Sequence, residues 1–267
     1  MSDLFNEEII SQATHTKWAG KTVHFAREID STNLWGKRVW KEEGAKHGEL
    51  FVAEYQSAGR GRFTRRWSAP PDSAITMSIL ICPEFSPMKA PMLTLVMGLS
   101  VAQAVADLGL DVGIKWPNDV LLGEKKVCGI LCESKIQGGK VSAVCGMGIN
   151  LCQDEDFFIQ NNLPHATSLL AFDGQRRTAQ EAAVLLLEEL EPILEQYRQE
   201  GFSPFAASYC DRCVTLGRQV RVIRGQQEVT AQAISIAPDG GLICQKAGEN
   251  FVIRSGEASV RGLYGYA

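Results

Sequence analysis

One stretch organises this sequence: Tyr55-Gln56-Ser57-Ala58-Gly59-Arg60-Gly61-Arg62-Phe63-Thr64-Arg65-Arg66-Trp67. Arginines and glycines alternate in it, between two strand-like runs, Glu49–Tyr55 and Ala74–Cys82, so it is predicted to be a long loop. Glycine lets a backbone approach a ligand closely, and arginine supplies a planar fork of donors for phosphate or carboxylate. The loop is therefore a candidate anion-binding site, although a solvated basic turn has the same composition.

Three further motifs follow the arginine-rich loop, and together the four decide between these alternatives. They are Lys115-Trp116-Pro117-Asn118-Asp119, Lys126-Val127-Cys128-Gly129-Ile130-Leu131 and Gly146-Met147-Gly148-Ile149-Asn150. Each motif alone is weak evidence, but the four in this order resemble the biotin protein ligase family, from about Asp30 to the end of the sequence. Since only about 25 residues precede the matching region, the chain resembles the form of the family that lacks an N-terminal DNA-binding domain, which needs ~60 residues.

Composition narrows the class of protein. The chain has 267 residues, 45% of them hydrophobic, and a net charge of −4. Such a length allows one large domain and a small one, and an acidic chain is not expected to attract nucleic acid in bulk. We find no basic and apolar leader and no apolar run near the ~20 residues of a membrane span, so we expect a cytoplasmic protein with no membrane partner.

The cysteines predict structural thiols rather than a metal site. There are eight of them, and most lie within apolar runs, as reduced buried thiols do. Cys210 and Cys213 form a lone C-x-x-C, whereas a zinc site needs a second pair of ligands. We therefore predict no protein-held metal.

The order of elements predicts an α+β fold. A helix beginning near Ser31, a mainly apolar helix from Pro91 to Leu108 and a helix beginning at the capping box Thr178–Glu181 accompany mixed and antiparallel strands, which suggests a sheet with helices on one face. Four close-spaced strands between residues 219 and 254 suggest a small β-barrel. The resemblance implies a class II synthetase-like catalytic domain at 1–213, which binds biotin and ATP, and an SH3-like C-terminal domain at 214–267.

The resemblance also implies a two-step reaction. The biotin carboxylate attacks the α-phosphate of ATP to give biotinyl-5′-AMP and diphosphate, and a lysine of a biotin carboxyl carrier protein then attacks the mixed anhydride. ATP and biotin are substrates, and Mg²⁺ would neutralise the triphosphate. Because both steps bring anionic oxygens together, fixed positive charge is the main catalytic need.

Matching the family's motifs residue by residue gives the expected site. The catalytic residues are Lys126 and Arg62. The biotin-binding residues are Ser31, Thr32, Asn33, Gln56, Arg60, Gly61, Arg62, Lys126 and Gly129. The nucleotide-binding residues are Arg65, Trp67, Asn118 and Asn150.

Several of these residues have simpler interpretations. The Ser31–Asn33 segment could be only a helix cap, Trp67 only a core aromatic, and Asn118 only part of an Asx turn. Thr64 departs from the pattern, because many family members have glycine there, which affects the geometry of the loop but not its charge.

Three rival functions were weighed. A lipoate ligase would share the fold and the adenylation chemistry, but not these motifs. A biotin-responsive repressor would need the N-terminal module, so we expect no specific DNA binding. A silent binding module built on the C-terminal domain would not need both the arginine loop and Lys126. A homodimer is compatible with the sequence.

Overall fold

Two sheets organise the structure, a computed structural model that describes residues 7–43, 46–82, 87–137, 140–262 and 266. The elements up to residue 212 are α1 (Glu7–Ala13), β1 (Val23–Ile29), α2 (Thr32–Glu43), β2 (Leu50–Gln56), β3 (Ala74–Ile81), α3 (Leu93–Ala106), β4 (Val112–Lys115), β5 (Asp119–Leu122), β6 (Lys125–Gln137), β7 (Lys140–Asn150), α4 (Glu155–Gln160), α5 (Leu169–Asp173), α6 (Ala179–Glu200) and α7 (Ala206–Arg212). The remaining strands are β8 (Gln219–Arg224), β9 (Gln227–Ile236), β10 (Leu242–Lys246), β11 (Glu249–Ile253) and β12 (Ser259–Gly262).

The first sheet has seven strands in the order β1-β2-β3-β7-β6-β5-β4. β1 and β2 are parallel, and the other neighbouring pairs are antiparallel. The apolar residues of β3 and β7 form its centre, where Ala74 lies opposite Asn150 and Ile81 opposite Ala143. The predicted α+β fold, with a mixed sheet and packed helices, is confirmed.

Helices cover both faces of this sheet, whereas the sequence suggested one face only. α3 and α6 pack over the face that carries Ile75 and Met77. The opposite face, which carries Leu80, is covered by α2. The prediction failed because Thr76 and Ser78 made this face of β3 look polar, yet both are buried. Buried hydroxyls are tolerated where they are hydrogen-bonded: Thr76 donates to the Ala53 carbonyl oxygen of β2, and Ser78 contacts Thr32 and Asn33 at the start of α2.

The core helix α3 is buried along nearly its whole length. A short 3-10 turn, Pro87–Met92, leads into it, and Gly109, at a φ of +81°, follows its end. The segment Pro87–Ala106 is long and apolar enough to cross a membrane by length and composition alone, but 72% of its most apolar window is buried inside the protein. A helix that is apolar on all sides belongs in a core, and this one lies between the sheet and α6.

The long helix α6 begins at the predicted capping box. The Thr178 hydroxyl accepts the Glu181 N–H, and the Glu181 carboxylate accepts the Thr178 N–H. Further along, the buried carboxylate of Glu191 accepts the backbone N–H groups of residues 17–19 at 2.6–2.8 Å. Charge-assisted bonds of this kind are among the stronger ones, so they tie the weakly patterned segment before β1 to the core.

The second sheet is antiparallel, in the order β11-β10-β9-β8-β12. The sequence predicted four of its strands and missed β12, which has only four residues. The two sheets are joined closely: the Val214 N–H donates to the Ile114 carbonyl oxygen at 3.0 Å, and the Trp116 indole N–H donates to the Gly240 carbonyl oxygen at 3.0 Å. These contacts bring β12 beside the first sheet, where it helps to form the site.

Candidate active site

One cavity contains every predicted site residue except Asn150. Its walls are the start of α2, the arginine loop, the turn between β4 and β5, the middle of β6 and β7, and residues Ser259 and Val260 of β12. Its volume is about 130 Å³.

The start of α2 forms a neutral polar end of the cavity. The backbone N–H of Thr32 donates to Gln56 Oε1 at 2.8 Å. Ser78 Oγ lies 2.7 Å from Thr32 Oγ1 and 2.6 Å from Asn33 Oδ1. Asn33 Nδ2 donates to the Leu131 carbonyl oxygen at 3.1 Å. These hydrogen bonds fix the orientation of the side chains, as is required in a site that binds a ligand through amide and hydroxyl groups.

Glu133 lies beside this polar end and was not predicted. Its carboxylate accepts Asn33 Nδ2 at 2.9 Å and pairs with Lys37 at 2.6 Å and Arg60 at 3.3 Å. Burial alone would raise the pKa of Glu133, but Asn33, Lys37 and Arg60 lower it overall. The carboxylate therefore stays ionised, and it holds Arg60 at the rim.

The Gly-x-Gly motif of β7 provides the space for the site. A Cβ atom at Gly146 would lie 2.0 Å from Asn33 Oδ1, and one at Gly148 would lie 2.4 Å from the Trp67 ring. Real Cβ atoms do not make contacts this short, so any side chain here would displace Asn33 or Trp67. Gly129, opposite Gly148 on β6, has the same role, since a Cβ there would lie 2.8 Å from Lys126 Nζ.

The arginine loop folds back on itself as a compact arch. Its backbone bonds run from Gly61 N–H to the Arg65 carbonyl oxygen at 2.8 Å and from Trp67 N–H to the Gly59 carbonyl oxygen at 3.0 Å. Phe63, at the tip, has a φ of +52°, which is uncommon for a residue other than glycine. The side chain of Thr64 lies outside the described part of the structure. The arch places Arg62 inward and leaves Phe63 exposed.

Arg62 carries a buried donor with no protein partner. Its Nη1 donates to Asn118 Oδ1 at 3.0 Å, while Nη2 is buried and finds no acceptor among the described residues. Burial lowers the pKa of the Arg62 guanidinium and Asp119 opposes this, yet arginine remains protonated in proteins. Buried unpaired donors are costly, so an anionic oxygen of a ligand would supply the missing partner.

A row of buried charges forms the other end of the cavity. Lys126 Nζ lies 2.7 Å from Asp119 Oδ1, and Lys115 lines the cavity beside them. Burial alone would raise the pKa of Asp119, but Lys126 lowers it overall. Burial, partly offset by Asp119, lowers the pKa of Lys115 to about 8. No signal in the sequence indicated a role of Lys115 beyond its place in the Lys-Trp-Pro-Asn-Asp motif, whereas the strand break in that motif predicts that Asn118 and Asp119 can reach a nucleotide or a metal ion.

Asn150 is placed elsewhere. Its Nδ2 donates to the Thr167 carbonyl oxygen at 3.0 Å, and its Oδ1 accepts Gln153 Nε2 at 3.0 Å. The amide is buried and fastens the loop that follows β7. The motif match gave no means of separating this structural use from a ligand contact.

The described residues hold no group of three or more His, Cys, Asp or Glu side chains placed to bind a metal ion. Asp119 is the buried carboxylate in the cavity, and both of its oxygens have protein partners, Lys126 and Tyr266. The eight cysteines are all unpaired thiols. The donor set of this cavity therefore does not fit a metal ion held by protein ligands alone.

Comparison with known proteins gives the family. Residues 25–150 match the Biotin/lipoate A/B protein ligase family, and residues 215–261 match the Biotin protein ligase C terminal domain. The bifunctional ligase/repressor BirA of Bacillus spizizenii is 32% identical over 90% of this chain and 74% of its own length. The biotin–[acetyl-CoA-carboxylase] ligase of Mycobacterium tuberculosis is 35% identical over 79% of this chain and 78% of its own length.

The chain belongs to the biotin protein ligase family. A solved structure supports the same conclusion: the biotin protein ligase of Aquifex aeolicus, in complex with biotin and ATP, matches with a TM-score of 0.76 and 30% identity over 91% of this chain and 99% of that one. The family and enzyme class predicted from the four motifs are confirmed, and this chain is a biotin ligase. Its C-terminal sheet is the family's C-terminal domain.

Proposed function

We propose that the cavity binds biotin at its neutral polar end and ATP at its cationic end, and that it joins them as biotinyl-5′-AMP. A biotin carboxylate oxygen attacks the α-phosphorus and forms a new oxygen–phosphorus bond. The bond between the α-phosphorus and the oxygen that bridges to the β-phosphate breaks, and diphosphate is released. A lysine amine of the acceptor then attacks the carbonyl carbon, AMP leaves, and the amine loses a proton to solvent. The chain's own part is to bind, orient and neutralise charge.

The observation that carries this proposal is the division of one cavity into two chemical halves. Hydroxyl and amide groups of Ser31, Thr32 and Asn33 suit the ureido ring of biotin, which both donates and accepts hydrogen bonds. The cations Arg62, Lys115 and Lys126 suit the carboxylate and phosphates. A reaction between two anions needs such preorganised positive charge at the point where they meet.

The individual roles follow from these positions. Lys126 and Arg62 lie where the carboxylate and the α-phosphate would meet, with Gln56, Arg60, Gly61 and Gly129 around the biotin. Arg65 and Asn118 would face the nucleotide, and Trp67 would offer its ring to the adenine. We assign no ligand contact to Asn150, because its amide is already used within the protein.

We propose that magnesium enters with ATP as a complex of the triphosphate. Mg²⁺ prefers oxygen ligands and usually keeps water and phosphate oxygens in its shell, which fits a cavity without a carboxylate cluster. Bound there, the ion would reduce the repulsion between the phosphates and the incoming carboxylate.

The acceptor, on this proposal, is a biotin carboxyl carrier domain, as the name of the Mycobacterium tuberculosis relative suggests. Free thiols agree with the reducing cytoplasm, which we propose as the location. We also propose a catalytic domain at 1–213 and a C-terminal domain at 214–267. Two further proposals are that the protein can form a homodimer and that it does not bind DNA specifically.

The lipoate alternative is less favourable, because the match to a biotin protein ligase C-terminal domain and the names of the relatives point to biotin. A thermal shift assay with biotin and with lipoate separates the two. We expect biotin to raise the melting temperature above that measured with ATP alone, and lipoate to add nothing to the effect of ATP.

The main test incubates the full chain with biotin, ATP, magnesium and a carrier domain. We expect mass spectrometry to find one added biotin on one lysine, and none on a matched carrier in which that lysine is arginine. Omitting ATP should abolish the product. If the carrier gains no biotin, but gains lipoate when lipoate replaces biotin in the incubation, the proposal is contradicted.

A further inference from the structure

Tyr266 reaches the buried charges of the active site from the segment after β12. Its hydroxyl donates to Asp119 Oδ2 at 2.6 Å, while Lys115 Nζ lies 3.6 Å from the centroid of its ring. The ring is also stacked with His165, with 5.6 Å between ring centroids. One side chain therefore contacts both an anion and a cation of the row that faces the ligand.

Both of these charges need a partner that does not leave when a ligand binds. Asp119 and Lys115 are each only 7% exposed, and a buried charge without a partner is costly. Asp119 Oδ1 contacts Lys126 at 2.7 Å and accepts Asn118 Nδ2 at 3.1 Å, but the amide carries no charge and an incoming anion would compete for the lysine. The hydroxyl of Tyr266 on the other oxygen would keep Asp119 stabilised while Lys126 turns towards the ligand.

The ring has a similar effect on Lys115. Within the described part of the chain no carboxylate forms an ion pair with this amine, and the ring face of Tyr266 is its nearest counterpart at cation–π distance, which extends to ~6 Å. Burial raises the pKa of Tyr266 well above its ordinary value, and the nearby Asp119 adds to this. The phenol therefore stays protonated and serves as a donor throughout the working pH range.

We propose that Tyr266 is a positioning residue for the adenylation step. Its hydroxyl fixes the Asp119 carboxylate and its ring fixes the Lys115 ammonium, so that Lys115 and Lys126 present their charges to the nucleotide. The inference rests on the proposed function of the cavity. It adds a residue that none of the four sequence motifs contains.

The test compares Tyr266→Phe, which keeps the ring, with Tyr266→Leu, which loses both the ring and the hydroxyl. Diphosphate release is measured with biotin, ATP and magnesium, together with the melting temperature and the affinity for biotin alone. Loss of a hydrogen bond to a charged group costs about tenfold in a rate or binding constant. We expect kcat/KM for ATP to fall about tenfold in the phenylalanine variant and further in the leucine variant, with biotin affinity unchanged.

Tyr209→Phe is the matched control, because the Tyr209 hydroxyl is also buried but has no hydrogen-bond partner among the described residues. It should behave as the wild type. Normal kcat/KM for ATP in Tyr266→Phe, or an equal fall in ATP use, biotin affinity and melting temperature, would overturn the positioning role. Equal activities of the two Tyr266 variants would overturn the role of the ring. A wild-type chain that releases no diphosphate would overturn the proposed function itself, and this inference with it.

Discussion

Several charged residues in and beside the cavity have an opposite charge close by. Asp119 lies between Lys126 and Tyr266, and Glu133 holds Lys37 and Arg60. Because these cations are paired with carboxylates, several cations can lie near one another at a low electrostatic cost before a ligand binds. Arg62 differs, since one of its nitrogens is buried and has no acceptor within the described residues, and this marks the point where an anion is expected.

Replacement of Lys126 should stop adenylation without unfolding the protein. Lys126→Ala removes a cation from the point where carboxylate and phosphate meet, and the loss of one such contact typically costs ~10²–10³ in rate. Diphosphate release measures the effect. Lys125→Ala is the matched control, because Lys125 pairs with Glu155 outside the cavity at 3.3 Å. Near-normal release by the Lys126 variant would remove this residue from the mechanism.

ATP binding should weaken as the pH rises through the pKa of Lys115. Burial, partly offset by Asp119, lowers that pKa from 10.5 to about 8. The other charges that act on the amine are those of Lys126, Arg65 and Arg261. Below this pKa the amine is charged and attracts phosphate, and above it the charge is lost, so ATP affinity should fall by up to about tenfold per pH unit.

Titration of ATP affinity between about pH 7 and about pH 9.5 tests this linkage. Lys115→Met should bind ATP more weakly at neutral pH and show a flatter dependence above pH 8. If the wild type and the variant lose affinity in parallel, the ionisation of another group is responsible.

At the scale of elements, the arginine loop is the part of the cavity wall that we expect to change when ligands bind. Its arch is closed by a few backbone hydrogen bonds, and the indole of Trp67 occupies the space above Gly148. The strands on the other side of the cavity, by contrast, are fixed by the hydrogen bonds of the sheet. Opening and reclosing of the loop would admit the substrates and then shield the reactive anhydride from water.

The loop should therefore be cut readily by trypsin at Arg60–Arg66 and become protected when biotin and ATP are added. The loop becomes ordered when the ligands bind, and part of the free energy of its contacts with them offsets the entropy that the loop loses, as in other segments that fold onto a ligand. Arg62→Gly should still form the adenylate but release it early, because the unpaired guanidinium edge that would hold it is gone. Labelling of a bystander such as albumin should then rise.

Arg66→Gly provides the comparison for this variant. Arg66 belongs to the same loop and also lines the cavity, but it is exposed and its guanidinium already donates to the Ser57 carbonyl oxygen at 3.3 Å. It should label only the carrier. A loop that is equally protected with and without ligand, together with carrier-only labelling by Arg62→Gly, would mean that the loop is a rigid scaffold.

The whole molecule joins its two sheets at the active site. Trp116, in the turn between β4 and β5, donates through its indole to the Gly240 carbonyl oxygen, and Arg65 of the loop reaches Ser259 Oγ of β12 at 3.3 Å. The second sheet thus contributes to the wall of the cavity, and Tyr266 beyond it reaches Asp119. The candidate active site is therefore lined by residues from both parts of the chain.

The protein should not bind the operator of a biotin-synthesis gene specifically. The net charge of −4 gives no general attraction to DNA, and sequence-specific binding requires a reading element and a basic surface. A gel-shift assay with operator DNA and with a scrambled sequence of equal length should show equal, weak binding, whether or not biotin and ATP are present. Operator binding that tightens with both ligands would contradict this.

The sequence by itself determined the fold class, the family and most of the cavity. Four local motifs carry that information, because glycines that allow close approach and arginines that bind anions have the same use wherever they occur. The capping box of α6 was likewise local and was predicted correctly. Only the tertiary structure decided the rest. Asn150 lies in a motif, yet the loop after β7 occupies its amide, and Tyr266 lies in no motif, yet the packing of the second sheet brings it to Asp119. Both outcomes depend on contacts between residues far apart in the chain, which no local pattern records.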